Sequence, residues 1–405
     1  MGRPFGTGDR HGDWNGSTNG STNGNRQMEE GMEAMNAGKG GMENLDTPYV
    51  LIDLEKVERN INRLQRIAER NGVGVRPHSK THKLPEIARM QLGAGAIGQT
   101  AAKLGEAEAM ADAGVRDILV AYPIVGVQKL QRLVQLAQRA EVTVAVDSLA
   151  VAAGISRAAS EVAGLTIGLA IEIDCGFRRV GVASIEAAVE LGERIRPLPG
   201  VRLRGITTFA GHSYDARAEE IRRVAEHEGR MAVEAAEALR RIGFAIDIVS
   251  AGSTPSSPYT AEVAGITEVR PGAYVFGDLM QVEIGAHRLD DCALSVLCTV
   301  VSRPEPHRAV IDAGTKVLTS DGGDSPIGTG RGYVIGHPGI EVAWLTEEHG
   351  MLTLPPEEQG LAVGDMIAVI PVHACGVINT VDEVAAIRDG EVEAIWKVTA
   401  RGKSR

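Results

Sequence analysis

The chain has 405 residues, 43% of them apolar, and a formal net charge of -11. That length admits one large domain or two ordinary ones around a sizeable core, and the acidic balance argues against nucleic acid or an anionic membrane surface as a partner. No apolar run is long enough to cross a bilayer, no apolar leader core stands in the opening segment, and four sparse cysteines suit a reduced, cytoplasmic protein better than a disulfide framework.

The chain opens on "GTGDRHGDWNGSTNGSTNGNRQ", almost all Gly, Asn, Ser and Thr. Such a segment buries too little to offset its ordering entropy, so residues 1–44 read as a disordered tail. A regular grammar begins at Thr47. A short strand-like run leads into an amphipathic helix with Leu54, Val57, Ile61, Leu64 and Ile67 on one stripe, stopped by Asn71-Gly72. Eight short runs rich in β-branched and small residues follow, at 73–78, 96–100, 117–123, 142–148, 166–174, 203–211, 245–252 and 266–277, with helical patterns between them. The runs are continuously apolar rather than alternating, as parallel strands covered on both faces are. Eight such repeats predict a (β/α)8 TIM-type barrel over residues 45–285, with a doubly wound open sheet as the structural alternative. Beyond residue 285 strands follow one another through turns, "RDGEVE" among them, and predict a mostly antiparallel β domain over 286–405, completed by the strand at Tyr49–Ile52.

In a barrel of this kind the site lies at the C-terminal ends of the strands. Polar residues collect there. The first strand runs into "RPHSKTHK", the fifth into "EIDCGFRRVG", the sixth into "TTFAGHSY", the seventh into "SAGSTPSS" and the eighth into "RPGAYVFGD". Lys80 stands among Arg76, His78 and Lys83, cationic neighbours that would depress its pKa and suit it to Schiff-base chemistry. Ala251–Ser257 supplies a glycine, backbone donors and hydroxyls, a reasonable cradle for one phosphate group. A Schiff-base lysine with a monophosphate cradle in a barrel points to pyridoxal phosphate.

With those residues in view, the chain resembles the fold-type III pyridoxal-phosphate enzymes, an alanine-racemase-like barrel followed by a β domain. Within them it resembles the D-serine dehydratase and D-threonine aldolase family, through "RPHSKTHK", "EIDCGFRRVGV", "GHSY", "SAGSTP", "EVRPGAYVFGD", "VIDAGTK", "EEHG" and "VHACGVIN". The resemblance implies that Lys80 carries the cofactor and that Arg179 lies near its phenolic oxygen. It places Gly252, Ser253 and Thr254 on the phosphate loop, with Tyr274 close by, and His78 and Thr207 among the cofactor contacts. It also implies a homodimer. "PVHACGV" sets His373 and Cys375 two apart, which on an extended strand gives both one face and half of a tetrahedral metal site. By the same resemblance the His-x-Cys pair matches zinc ligands of the dehydratases, whereas a His-x-Asp pair suits manganese in the aldolases.

The function implied is a lyase, dependent on pyridoxal phosphate and a divalent metal, acting on small D-β-hydroxy amino acids. Elimination to a 2-oxo acid and ammonia leads the alternatives; retro-aldol cleavage to glycine and an aldehyde is the second. His82 and His212 are the candidates for the further base. An amino-acid racemase and a non-catalytic cofactor-binding protein are the competing readings, and "ITTFAG" leaves room for a substrate bulkier than D-serine.

Overall fold

A computed structural model describes residues 40–321, 323, 327–358 and 360–405. Residues 1–39 of the expected N-terminal tail lie outside the described residues; its last five are not a disordered tail, since Gly40–Gly41 pair with Glu391 and Val392 and Met42–Asn44 form a 3-10 turn. Eight parallel strands form one sheet: Gly74–Val75, Gln99–Ala101, Asp117–Val120, Glu141–Val146, Ile167–Ile173, Val201–Thr208, Ile248–Ala251 and Glu268–Val269. All eight fall on the predicted runs, in order. The last strand pairs with both its predecessor and the first, and a parallel bridge from His78 to Thr100 closes the circle.

The strand residues that face the helices are large and apolar, such as Ile171, Ile206 and Val249, none of them measurably exposed. Their in-register neighbours Glu172, Thr207, Ser250 and Glu268 form a polar row at one level of the sheet. The helix Leu54–Arg70 is the predicted amphipathic one. Asp53 caps it by accepting from Lys56 N–H, and Leu54, Val57, Ile61 and Leu64 are buried.

The second sheet is almost wholly antiparallel. Leu294–Glu305 and Met366–Pro371 pair across it and close it, and Tyr49–Asp53 inserts between Leu294–Glu305 and Glu383–Arg388. The hairpin predicted at Asp389-Gly390 is present. Both residues take positive φ, 50° and 80°, as the turn that matches strand twist requires. Because Tyr49–Asp53 belongs to the second sheet and leads directly into the first helix of the barrel, the two sheets are laced together there. Among the described residues no helix is long and apolar enough to cross a membrane.

Candidate active site

A cavity of about 820 Å³ opens at the C-terminal ends of the barrel strands, where the second sheet meets them. Lys80, His78, Arg179, Ser253 and Thr254 line it from the barrel, and His373 and Cys375 line it from the β-sheet side. The sequence therefore placed seven residues, far apart in the chain, on one wall system. Gly252, Thr207, Tyr274, His82 and His212 do not line it.

Lys80 follows the first strand on the turn Ser79–Lys83. Its amine is held below the ordinary lysine range by burial, with Arg179 and Arg270 adding to the effect and Cys375 opposing it. The expected cationic neighbours act differently. Arg76 is buried in ion pairs with Glu268 at 3.0 Å and Asp117 at 2.7 Å, and Lys83 is paired with buried Glu106. Each is neutralised by a carboxylate distant in sequence, so neither supplies the depressing charge. His78 does face the cavity, its Nδ1 accepts from Lys80 N–H at 3.4 Å, and burial drives its pKa well below the usual value. His82 is turned away. Its Nδ1 meets the Leu84 backbone and burial lowers its pKa to about 3. His212 sits on the turn Gly211–Tyr214 with Nδ1 buried and unpartnered, behind the cavity wall.

The phosphate-cradle candidate is held from behind. Gly252 has φ 90°, and a Cβ there would meet Ser257 Oγ at 3.0 Å and Ser257 Cα at 3.2 Å, so only glycine fits comfortably. Its N–H donates to buried Glu228, as does Ala210 N–H, while Ser256 Oγ and Thr260 Oγ1 donate to the other oxygen. One carboxylate thus ties together the loops after the sixth and seventh strands. Ser253 and Thr254 remain on the cavity side. Tyr274 joins the loop through its backbone, its N–H donating to Thr254 Oγ1, while its phenol accepts from Gln91 away from the cavity.

Three residues that the sequence reading passed over belong to the site. Arg270, one residue past the eighth strand, lines the cavity, donates to Thr208 O and leaves Nε buried without a partner. Tyr214 lines the cavity beside Thr254, and burial pushes its phenol pKa up. Asp278 accepts from Gln281 N–H and, with its second oxygen, from Ala374 N–H, both at 3.0 Å. Burial raises its pKa. All three lie inside motifs that had been singled out, "RPGAYVFGD" and "GHSY"; only the long-range partners were invisible.

The His373–Cys375 pair arises differently from the way its spacing suggested. The strand ends at Pro371, and His373 is the N-cap of a five-residue helix, Ala374–Ile378. The i, i+2 alternation of a strand does not operate there. What aims both side chains at the cavity is the turn, fixed by Asp278 through the Ala374 amide. Cys375 Sγ–H donates to Thr81 Oγ1 at 3.3 Å, next to Lys80. Burial lowers the His373 pKa, but the thiol of Cys375 and the carboxylates of Asp278 and Asp321 outweigh it and hold it up at about 10. Of the two acids at the end of the fifth strand, Asp174, just past it, caps its own loop by accepting from Gly176 and Arg178 N–H, whereas Glu172 is buried towards Arg270 and Arg179. Arg179 lies over the ring of Phe209 at 4.7 Å, and Phe177 meets Phe209 edge-on.

Residues 52–280 match the alanine racemase N-terminal domain and residues 293–387 the putative serine dehydratase domain. The chain is 35% identical over 367 residues to D-threonine aldolase of Arthrobacter sp., covering 89% of this chain and 94% of that one. It belongs to the fold-type III pyridoxal-phosphate family of these enzymes. Within that family it is 37% identical to the D-threo-3-hydroxyaspartate dehydratase of Delftia sp., covering 82% of this chain and 91% of the relative. The crystal structure of D-threonine aldolase from Filomicrobium marinum superposes with a TM-score of 0.84 at 32% identity, over 91% of this chain and 99% of that one. A cysteine-to-alanine mutant of D-threo-3-hydroxyaspartate dehydratase, in the metal-free form, superposes with a TM-score of 0.82 at 33% identity, over 88% and 98%.

Proposed function

We propose that the protein is a D-β-hydroxy amino acid lyase that uses pyridoxal phosphate and a divalent metal, and that it works by dehydration to a 2-oxo acid and ammonia. The observation that carries this reading is the convergence of Lys80 and the His373–Cys375 pair on one cavity, linked through Thr81.

The site fits the cofactor. Arg270 lines the cavity and keeps a buried N–H without a partner, and a Cβ at Gly272 would fall 2.5 Å from Thr81 Oγ1, so the cavity floor there admits no side chain without a shift. Ser253, Thr254 and Tyr214 would hold the phosphate, Arg270, His78 and Arg179 the ring, and Lys80 the aldehyde carbon. The cofactor, when bound, supplies a sink for the electron pair left at Cα. The imidazole and thiol also fit a soft, borderline metal, zinc before manganese. Among the described residues no group of three His, Cys, Asp or Glu side chains gathers there, so the protein would supply two donors. A metal held by this pair supplies Lewis acidity at a β-hydroxyl.

The chain's own residues then divide the work. Lys80, an amine held below the usual lysine range, takes the proton from Cα. The β-hydroxyl would lie on the His373–Cys375 side of the cavity, and as its carbon–oxygen bond breaks it would leave as water with the proton that Lys80 has taken from Cα. Arg179 lies over the rings of Phe177 and Phe209 on the cavity wall. In this division residues 45–285 serve the cofactor and 286–405 the metal.

The alternative is retro-aldol cleavage, favoured by the identity to D-threonine aldolase. Incubation with D-serine, D-threonine and D-threo-3-hydroxyaspartate decides: 2-oxo acid and ammonia support dehydration, glycine with an aldehyde supports the alternative, and a racemised product contradicts both. We further propose a cytoplasmic homodimer. Tyr122, Val125 and Val127 form an exposed apolar rim, of which Tyr122 lines the cavity, and a second copy would cover it; a monomeric mass in solution would refute this.

A further inference from the structure

His373 Nδ1 lies 2.7 Å from Asp321 Oδ2. Asp321 stands two residues beyond Thr319, which ends the short helix Thr315–Leu318 with φ 60°. Left-handed backbone is an uncommon state for a β-branched residue and persists only where its surroundings hold it. Those surroundings are on the page. Thr319 packs onto Gly376, where an added Cβ would fall 3.0 Å from Thr319 Oγ1, and Asp321 N–H donates to the same oxygen at 3.3 Å. The turn that carries His373 and Cys375 therefore also sets the loop that brings Asp321 back to His373. Asp278 fixes that turn at its backbone; Asp321 addresses the imidazole.

We propose that Asp321 is a positioning residue for the metal. By accepting the Nδ1 hydrogen it fixes the orientation and tautomer of the ring, so that Nε2 is the nitrogen left to the metal. The inference rests on the reading of His373 and Cys375 as metal donors. Asp321 acts through His373 and has no direct part in breaking bonds. Its side chain is 64% exposed, so its removal opens no hole in the core.

The test uses the full-length, cofactor-loaded protein, stripped with a chelator and titrated with Zn2+ against a chromophoric competitor. Asp321→Ala weakens zinc binding by about 10–100-fold relative to wild type, while the visible spectrum of the cofactor and the melting temperature of the metal-free protein stay at wild-type values. Asp321→Asn, which keeps an acceptor oxygen without the charge, falls between the two. A zinc affinity of Asp321→Ala indistinguishable from wild type overturns the inference and leaves the metal reading standing. Absence of zinc binding by the wild type itself overturns the metal reading and the inference with it.

Discussion

Gly272→Ala tests how tightly the floor of the cavity is built. Gly272 has φ -114°, so its backbone is open to any residue. The constraint is purely steric. A Cβ there would sit 2.5 Å from Thr81 Oγ1 and 3.3 Å from His78 Cβ. Thr81 is buried and its hydroxyl accepts from the Cys375 thiol, so displacing that hydroxyl disturbs the contact to Cys375. Overpacking of this kind costs about 1–3 kcal/mol, which corresponds to a fall in Tm of about 2–12 °C at roughly 2–4 °C per kcal/mol. Because the shifted residue adjoins Lys80, kcat falls further than stability alone explains, towards the roughly 100-fold that a misplacement of about 1 Å can cause. Calorimetry and steady-state kinetics read the two effects. Gly93→Ala, where an added Cβ meets nothing within 4 Å, is the control and leaves both unchanged or raises Tm slightly. If Gly272→Ala matches that control in Tm and kcat, the tight floor is refuted.

Lys80→Ala abolishes the visible absorbance of the cofactor bound to the protein; an unchanged spectrum removes Lys80 from its assigned role. Glu228 gives a pH prediction. Burial raises its pKa above the ordinary 4.5, although the donors Ala210, Gly252 and Ser256, and the charge of Arg270, pull the other way. A carboxyl whose folded pKa is raised contributes its stability below the unfolded value and loses it as pH rises through the folded one. Glu228→Gln, which sets an amide against some of those donors, is less stable than wild type by about 1–3 kcal/mol near pH 5, and the gap narrows towards about pH 8 because only the wild type has a proton to lose. A gap that is constant across denaturant melts at these pH values contradicts the assignment.

Much of this site was legible because a barrel writes its chemistry at the ends of its strands. Lys80, Arg179, Ser253 and Thr254 each follow a recognisable apolar run, and the runs fixed their level in the barrel. Most of the misread features depend on partners distant in the chain. The charges of Arg76 and Lys83 vanish into Glu268, Asp117 and Glu106. The ring of His82 turns to Leu84 rather than to the cavity. "IPVHACGV" reads as a strand, yet the Ala374 amide is taken by Asp278, 96 residues away, and the chain turns there into a helix. Arg270 and Tyr274 sit four residues apart in one motif, but only the fold shows that the guanidinium faces the cavity while the phenol faces Gln91.

The most direct measurement of the central claim, one cavity with a cofactor lysine on one side and a metal pair on the other, compares wild type with Cys375→Ala for metal content, cofactor absorbance and turnover of D-threo-3-hydroxyaspartate. The account predicts a Cys375→Ala protein that keeps its cofactor spectrum, binds little or no metal and releases little 2-oxo acid, as does chelated wild type until Zn2+ is restored. Full turnover by metal-free Cys375→Ala would contradict it.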